Sequence, residues 1–524
     1  MIKSPPSIFN DVIGPVMRGP SSSHLAAAHR IGDLARQMVK RELREVIAEF
    51  PKDTPLAETY HGHGSDIGLV GGLLGISLTD DCIINALDLA KKHGVDVLFR
   101  IVEGPVKHPN LYKMTLIGDK KEIVHFTAIS VGGGMIEIQE IEGFKVSISG
   151  DFYETLVFLK EESREHYEAI KNVIKNFEYC EYITNDQHAL VNIKTTYKLP
   201  GEIVEYLESF NFVEKVIQLN PVLPILSRKN CVVPFRTVSE MLQIASEKNL
   251  ELWELGVMYE SARGNISQQE VINRMREIVS IMKSAIQKGL EGTCYEDRIL
   301  GPQAYLIEKH KDKLIPDNLV NRVIAYITAI MEVKSAMGVI VAAPTAGACA
   351  TLPGVIIGTA TELEVGLDEI VKAMLAAGII GVIIADKTGF AAEMGGCQLE
   401  CGAASAMAAA GLVQLAGGTP EQGVDGASIA LQNILGLVCD PVGGRVEWPC
   451  LGRNIIAGVN AIASANMALA GYDKVIPLEE TLLAMKEVGD LMHPKLRCTG
   501  LGGLSVTQTS EKIYKELKQR AKRK

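Results

Sequence analysis

The sequence predicts an α+β region at the N-terminus, a small α/β segment in the middle and an all-α region at the C-terminus. Three observations predict it. Between residues 95 and 138, short β-branched runs alternate with turns. Residues 189–225 read as strand, helix, strand. From about Thr237 onward, apolar residues recur at helical spacing, and later segments are rich in Ala and Gly. At roughly 100–200 residues per domain, a chain of 524 residues divides into about three. The expected boundaries are 1–150, 151–230 and 231–524.

In chain order, residues 26–47 carry apolar side chains three and four apart and predict a helix. Gly94 ends a helical pattern, and residues 95–102 follow as a strand. A second strand is expected at 122–126. Gly132, Gly133 and Gly134 form a turn before the alternating stretch 135–138. Residues 151–177 are charged and predict a helical connector. Then come a strand at 190–193, a helix at 201–210 and a strand at 213–219. An ACT-like regulatory module and an elaborated linker are both open for this part. Residues 238–248 and 252–263 are amphipathic helices, and 268–290 is a long one. The small residues of 369–386 and 401–416 allow close helix packing, as in buried central helices.

Composition excludes several classes. A net charge of −10 argues against a nucleic-acid partner, and the basic run 518–524 reads as a solvated helix end. The longest apolar run, 373–385, stops at Asp386, short of the ~18–20 residues of a membrane span. Residues 1–6 are polar and proline-broken, unlike a signal peptide. Ten cysteines in such a chain point to a reducing cytoplasm, where thiols stay free to bind metal.

Three cysteines stand among small residues: Cys397, Cys439 and Cys450, with spacings of 42 and 11. Neither spacing is the short loop of a zinc site. Metal ligation needs the fold to gather three separate segments. Inert packing of buried thiols is the plainer reading of spacing alone.

Three polar loops also stand out. Ser21, Ser22, Ser23 and His24 follow Gly19-Pro20 and precede a helix. Hydroxyls and free N–H groups at a helix start suit a carboxylate, and a plain serine cap explains them equally. His61, His63 and Asp66 share a second loop, with no further ligands nearby to suggest zinc. Thr345 and Gly347 precede an apolar helix that Thr345 can cap. Gly68 to Gly75 lacks the dinucleotide fingerprint. No stretch suggests a pyridoxal phosphate lysine.

The stretches GGCQLECGAASAMAAAGLVQLAGGTPEQ, LGLVCDPVGGRVEWPCLGRNIIAGVNAIASANMAL and IVAAPTAGACATLPGV resemble the iron-sulfur L-serine dehydratases. VIGPVMRGPSSSH and GHGSDIGLVGGLLG resemble the other, often separate, half of that family. The resemblance covers both ends of the chain in single-chain order: a beta-type part, then an alpha-type part. It implies a 4Fe-4S cluster on Cys397, Cys439 and Cys450, with one iron left open as a Lewis acid. It implies His24 and His63 as acid/base candidates, and Ser21, Ser22, Ser23, Asp66, Asn110, Thr345 and Gly347 as substrate-side residues. The implied reaction is β-elimination of water from L-serine to pyruvate and ammonia, in a site between the polar loops and the cluster. It further implies an oxygen-sensitive cytoplasmic lyase of amino-acid degradation and gluconeogenesis, acting as a homodimer on a small amino acid.

Departures from the family pattern are Leu25 and Ser65 for threonines, Lys334 for an asparagine, and the loop 291–297 for a glycine-rich one. Leu25, Lys334 and the loop fall where substrate contacts are implied, so another β-hydroxy or β-thio amino acid stays open. A non-catalytic cluster sensor is the alternative from a different class. Cys401 reads as packing. Cys498, followed by 26 residues, does not match the terminal cysteine with which some members reach the open iron. A chain beginning near Val232 is expected to hold the cluster by itself, since all three cysteines lie beyond that point.

Overall fold

The computed structural model describes residues 4–19, 21–40, 42–119, 122–185 and 188–521. Pro20 of the serine motif, the first residues of 1–6 and the last of 518–524 lie outside them. The chain forms two compact units. One is Met1–Ser21 with Val232–Lys524; the other is Ser22–Cys231. The first residues therefore belong with the helical C-terminal region, and the boundary falls inside the serine run.

The Ser22–Cys231 unit holds two sheets. The larger has six strands, in the order Asp96–Val102, Leu43–Pro51, Leu111–Gly118, Ile123–Gly132, Met135–Ile141, Phe144–Ile148. Only the first pair is parallel. The helix expected over 26–47 is Ser22–Met38, and Leu43–Pro51 is a strand. Leu43 and Val46 fit a helical spacing, but Val46, Ala48 and Phe50 alternate and all point into the core. Tertiary burial of that alternating face decides the outcome. Ser22–Met38 lays Ala27, Ile31 and Leu34 on the sheet core.

The smaller sheet corrects the expected connector. Residues 151–177 contain the strand Tyr153–Leu159, and the helix is only Arg164–Val173. Leu156, Val157, Phe158 and Leu159 are all buried, alternate ones on opposite faces. A continuous apolar run of this kind marks a strand covered on both sides. The strand order is Val213–Leu219, Tyr153–Leu159, His188–Thr195, Tyr179–Asn185, all antiparallel. With Arg164–Val173 and Gly201–Glu208 on one face, this is the split βαββαβ topology of ferredoxin-like folds. Its other face joins the core of the larger sheet.

The second unit is helical, as expected. Val238–Lys248, Leu252–Gly264 and Gln268–Glu291 follow the apolar periodicity closely. Leu367–Lys387 and Ala403–Leu415 are its buried centre. Gly381 lets Val12 and Met407 close on the first of these; a Cβ there would meet Val12 at 2.1 Å. Among the described residues, the only β-structure named as strands in this unit is the pair Val16–Arg18 and Val339–Val341. No described helix is long and apolar enough to cross a membrane.

Candidate metal centre and helix-start site

In the helical unit the cysteines are delivered by different elements. Cys397 precedes the wide turn Gln398–Gly402, which leads into Ala403–Leu415. Such π-type turns recur at functional sites. Cys439 lies on an irregular segment, pinned by Leu496 and Cys498: its N–H donates to the Leu496 carbonyl and its carbonyl accepts from Cys498, both at 2.8 Å. Cys450 opens the helix Cys450–Leu469. All three are buried. Ligand atoms of Cys397, Glu400 and Cys439 lie within 4.8 Å of one another. Cys450 is outside that group, and Asn454 Nδ2 donates to its carbonyl at 2.8 Å.

Charge is organised around one sulfur. Cys397 is held well below the usual thiol range, because the Cys401 and Cys439 thiols donate to it and the Arg453 guanidinium stands beside it. Arg453 Nη1 is 3.7 Å from Cys397 Sγ, and its other arm holds Asp440, whose second oxygen accepts the Leu504 N–H at 2.7 Å. Cys439 is pushed up because it donates to Cys397, with Cys498 also against it and burial adding to the effect. Burial pushes the Cys450 thiol up. Cys401, expected to be packing, is in this sulfur cluster, and so is Cys498.

The Pro344–Gly347 loop faces the same place. Thr345 Oγ1 donates to Glu400 Oε1 at 2.6 Å and accepts the Ala348 N–H at 3.2 Å. The expected helix cap is therefore a turn cap, since the helix starts only at Thr351–Glu362. A Cβ on Gly347 would lie 2.8 Å from Glu400 Oε1, so glycine makes the room for that carboxylate. Burial, and then the Cys397 charge, push Glu400 up to about 8. Asn454 ties the parts together, its Nδ2 donating to the carbonyls of Gly347 and Cys450, both at 2.8 Å. Lys334 is buried and donates to the Val446 carbonyl at 2.5 Å. In the loop 291–297, Asp297 pairs with Arg445 at 3.1 Å. Glu400, Arg453, Asp440 and Asn454 were missed in the sequence. A lone carboxylate inside the small-residue run Gly395–Ala404 was the available signal for the first.

In the other unit, two helices start side by side. In the Ser65–Leu73 helix, Gly68 packs on the Leu25 carbonyl, where a Cβ would be at 2.3 Å, and Gly72 on the His29 carbonyl, at 2.0 Å. Leu25 opposite Gly68 and His29 opposite Gly72 means that Ser22–Met38 and Ser65–Leu73 run parallel. Their N-termini therefore share one end. Ser22 and Ser65 are buried there, and the rings of His24 and His63 are 4.8 Å apart. Burial lowers the pKa of His24, which favours the neutral imidazole.

Asp66 pairs with the neighbouring histidine: His61 Nδ1 donates to its Oδ2 at 2.5 Å, and the Ile67 N–H to its Oδ1 at 2.8 Å. A cavity of about 270 Å³ opens beside it, lined by Tyr60, His61, Asp66, Lys91 and Phe99 among others. Ser21 falls in the helical unit, Ser23 is half-buried, and Asn110 sits in a turn, its N–H on the His108 ring at 3.1 Å. Leu25 is fully buried at the helix crossing. The Tyr112 hydroxyl, against Ser65, was not foreseen; burial pushes it up to about 12.

Comparisons with known proteins agree with the two-part organisation. Residues 247–505 match the family model described as serine dehydratase alpha chain. The chain is 36% identical over 285 residues to the probable L-serine dehydratase alpha chain of Bacillus subtilis (strain 168), covering 54% of this chain and 95% of that one. It is 36% identical over 219 residues to the probable beta chain of the same organism, covering 41% and 97%. A single-chain L-serine dehydratase of Helicobacter pylori (strain ATCC 700392 / 26695) aligns over 504 residues at 26% identity, covering 93% and 96%.

Proposed function

The chain belongs to the serine dehydratase family, with the alpha-type and beta-type parts fused, and from this we propose that it is an iron-sulfur L-serine ammonia-lyase. The observation that carries the reading is the sulfur donor set: cysteines from separate segments gather in one buried place, one of them held as thiolate by thiol and guanidinium donors. That chemistry fits a 4Fe-4S cluster held by Cys397, Cys439 and Cys450. When bound, such a cluster supplies a Lewis-acidic iron that assists loss of the β-hydroxyl.

The chain's own groups account for the rest. Two parallel helix starts direct N–H groups and the hydroxyls of Ser22 and Ser65 to one end, which suits the substrate carboxylate. A carboxylate held by such donors makes the α-proton easier to remove. His24, neutral through burial, or His63 beside it takes that proton. Loss of water across Cα–Cβ gives an aminoacrylate, whose imine tautomer hydrolyses to pyruvate and ammonia. The βαββαβ module supports an ACT-like regulatory role for part of 151–230.

The test is pyruvate release from L-serine by anaerobically purified, iron-loaded protein. Release from L-serine in preference to other β-hydroxy and β-thio amino acids supports the reading. Absence of release from every member of that panel, with the cluster present, favours the sensor alternative. Air should inactivate the enzyme, and ferrous iron with a thiol should restore it. His24→Ala and His63→Ala should each keep the cluster. The one that loses about 10²–10⁴-fold in kcat is the acid/base group; the one that mainly raises KM binds the carboxylate.

A further inference from the structure

Three thiolates leave one iron of a four-iron cluster without a protein sulfur, and the sequence motifs assign nothing to that position. The structure puts a carboxylate beside two of the three. Glu400 lies on the wide turn that Cys397 precedes, three residues on, with Oε2 3.8 Å from Sγ. Glu400 shares the 4.8 Å donor group with Cys397 and Cys439. Two further features fix the carboxylate there. The Thr345 hydroxyl holds Oε1 at 2.6 Å, which leaves Oε2 on the sulfur side. Gly347 has no side chain, and any Cβ would press on both carboxylate oxygens, at 2.8 and 3.0 Å. A carboxylate is an ordinary iron ligand, harder than thiolate and exchanged more readily.

We propose that Glu400 is the protein ligand of the iron that the three cysteines leave free, with Thr345 and Gly347 as its positioning residues. The proposal rests on the cluster reading above. It explains why an acid stands three residues after Cys397, and why the Pro344–Gly347 loop closes on it.

The experiment compares wild type, Glu400→Gln, Thr345→Val and Cys498→Ser as full-length, anaerobically reconstituted proteins. Iron per chain is measured, then the rate at which a fixed dose of ferricyanide produces the EPR signal of a three-iron cluster. Mössbauer spectra of protein with only the labile iron enriched in ⁵⁷Fe report its ligand type. Loss of even an outer-shell partner typically costs about 10–100-fold in metal affinity. Glu400→Gln should therefore lose the fourth iron at least about ten-fold faster than wild type and change the Mössbauer signature of that site. Thr345→Val should fall between them, and Cys498→Ser should match wild type. Equal rates and spectra for wild type and Glu400→Gln, both with four irons, overturn the assignment while leaving the cluster reading intact. Faster loss in Cys498→Ser alone overturns it in favour of a fourth sulfur. Wild type that takes up no cluster overturns both.

Discussion

Cys397 concentrates the electrostatics of the candidate metal centre. Two thiols and a guanidinium converge on its sulfur, and a thiolate is the form that binds iron. Replacing Cys397, Cys439 or Cys450 by Ala should abolish both the visible absorbance of the cluster and the activity, while Cys401→Ala should keep most of each. A full cluster in the Cys439→Ala protein would rule out the assignment. Gly347 gives a finer test at the same scale. The three atoms nearest its missing Cβ all belong to the Glu400 side chain, at 2.8–3.1 Å. Gly347→Ala should therefore displace the carboxylate, at the ~1–3 kcal/mol typical of overpacking, and lower kcat by about ten-fold or more. A large stability loss with unchanged kcat would show that the glycine serves packing alone.

At the scale of elements, the parallel helix pair in the Ser22–Cys231 unit depends on glycine. Gly32, Gly68 and Gly72 each face a backbone carbonyl at a distance no Cβ can share, 2.0–2.3 Å. Backbone cannot swing away as a side chain can, so Gly68→Ala must separate the helices. Overpacking of this kind typically costs about 1–3 kcal/mol. It should also spoil the alignment of the two helix starts, raising KM for the amino acid while the cluster remains. An unchanged melting curve would refute the parallel packing. The crossing itself was hidden in the sequence: Gly68 to Gly75 is a glycine-rich stretch without a dinucleotide fingerprint, and close approach is visible only when the opposing carbonyls are known. What was legible followed periodicity. The helices of 238–290 came through nearly residue for residue, since their apolar faces repeat cleanly and capping groups such as Thr237 with Glu240 mark the ends. The strands at 43–51 and 153–159 did not, because one shares its apolar spacing with a helix and the other lies in a charged neighbourhood. Of the candidate site, the residues that stand in motifs could be named from sequence, Cys397, Cys439, His24 and His63 among them. Glu400, Arg453 and Asn454 act through contacts that only the fold creates.

At the scale of the molecule, the N-terminal segment is an integral part of the helical unit. Ser7 Oγ donates to Glu260 Oε1 at 2.5 Å and the Ile8 N–H to Oε2 at 2.8 Å. Burial nonetheless pushes Glu260 up to about 7 from 4.5. An acid whose pKa is raised by folding binds its proton more tightly in the folded state, so its contribution is full below pH 4.5 and fades as pH rises through 7. Each pKa unit is worth 1.36 kcal/mol, so the change is on the order of 3 kcal/mol. Both tryptophans, Trp253 and Trp448, lie in this unit, and their fluorescence should report falling stability over that window, flattened in Glu260→Gln. The same contacts revise the expectation for a chain that begins at Val232. Such a chain keeps Cys397, Cys439 and Cys450, the candidate cluster cysteines, but it removes the donors to the Glu260 carboxyl, which is wholly buried. It strips Val339–Val341 of its partner strand and uncovers the surface that Ile8, Phe9, Val12, Ile13 and Met17 cover, each at most 2% exposed. At about 1.5–3 kcal/mol per buried side chain, the loss is on the order of 10 kcal/mol, comparable to the ~5–15 kcal/mol that holds a domain folded. The truncated chain should therefore aggregate or show unfolded tryptophan emission and take up no cluster. Supplying a peptide of residues 4–21 should restore the emission and the iron content. A soluble Val232 chain that loads four irons without the peptide would show that the segment is dispensable and that the cysteines alone organise the centre.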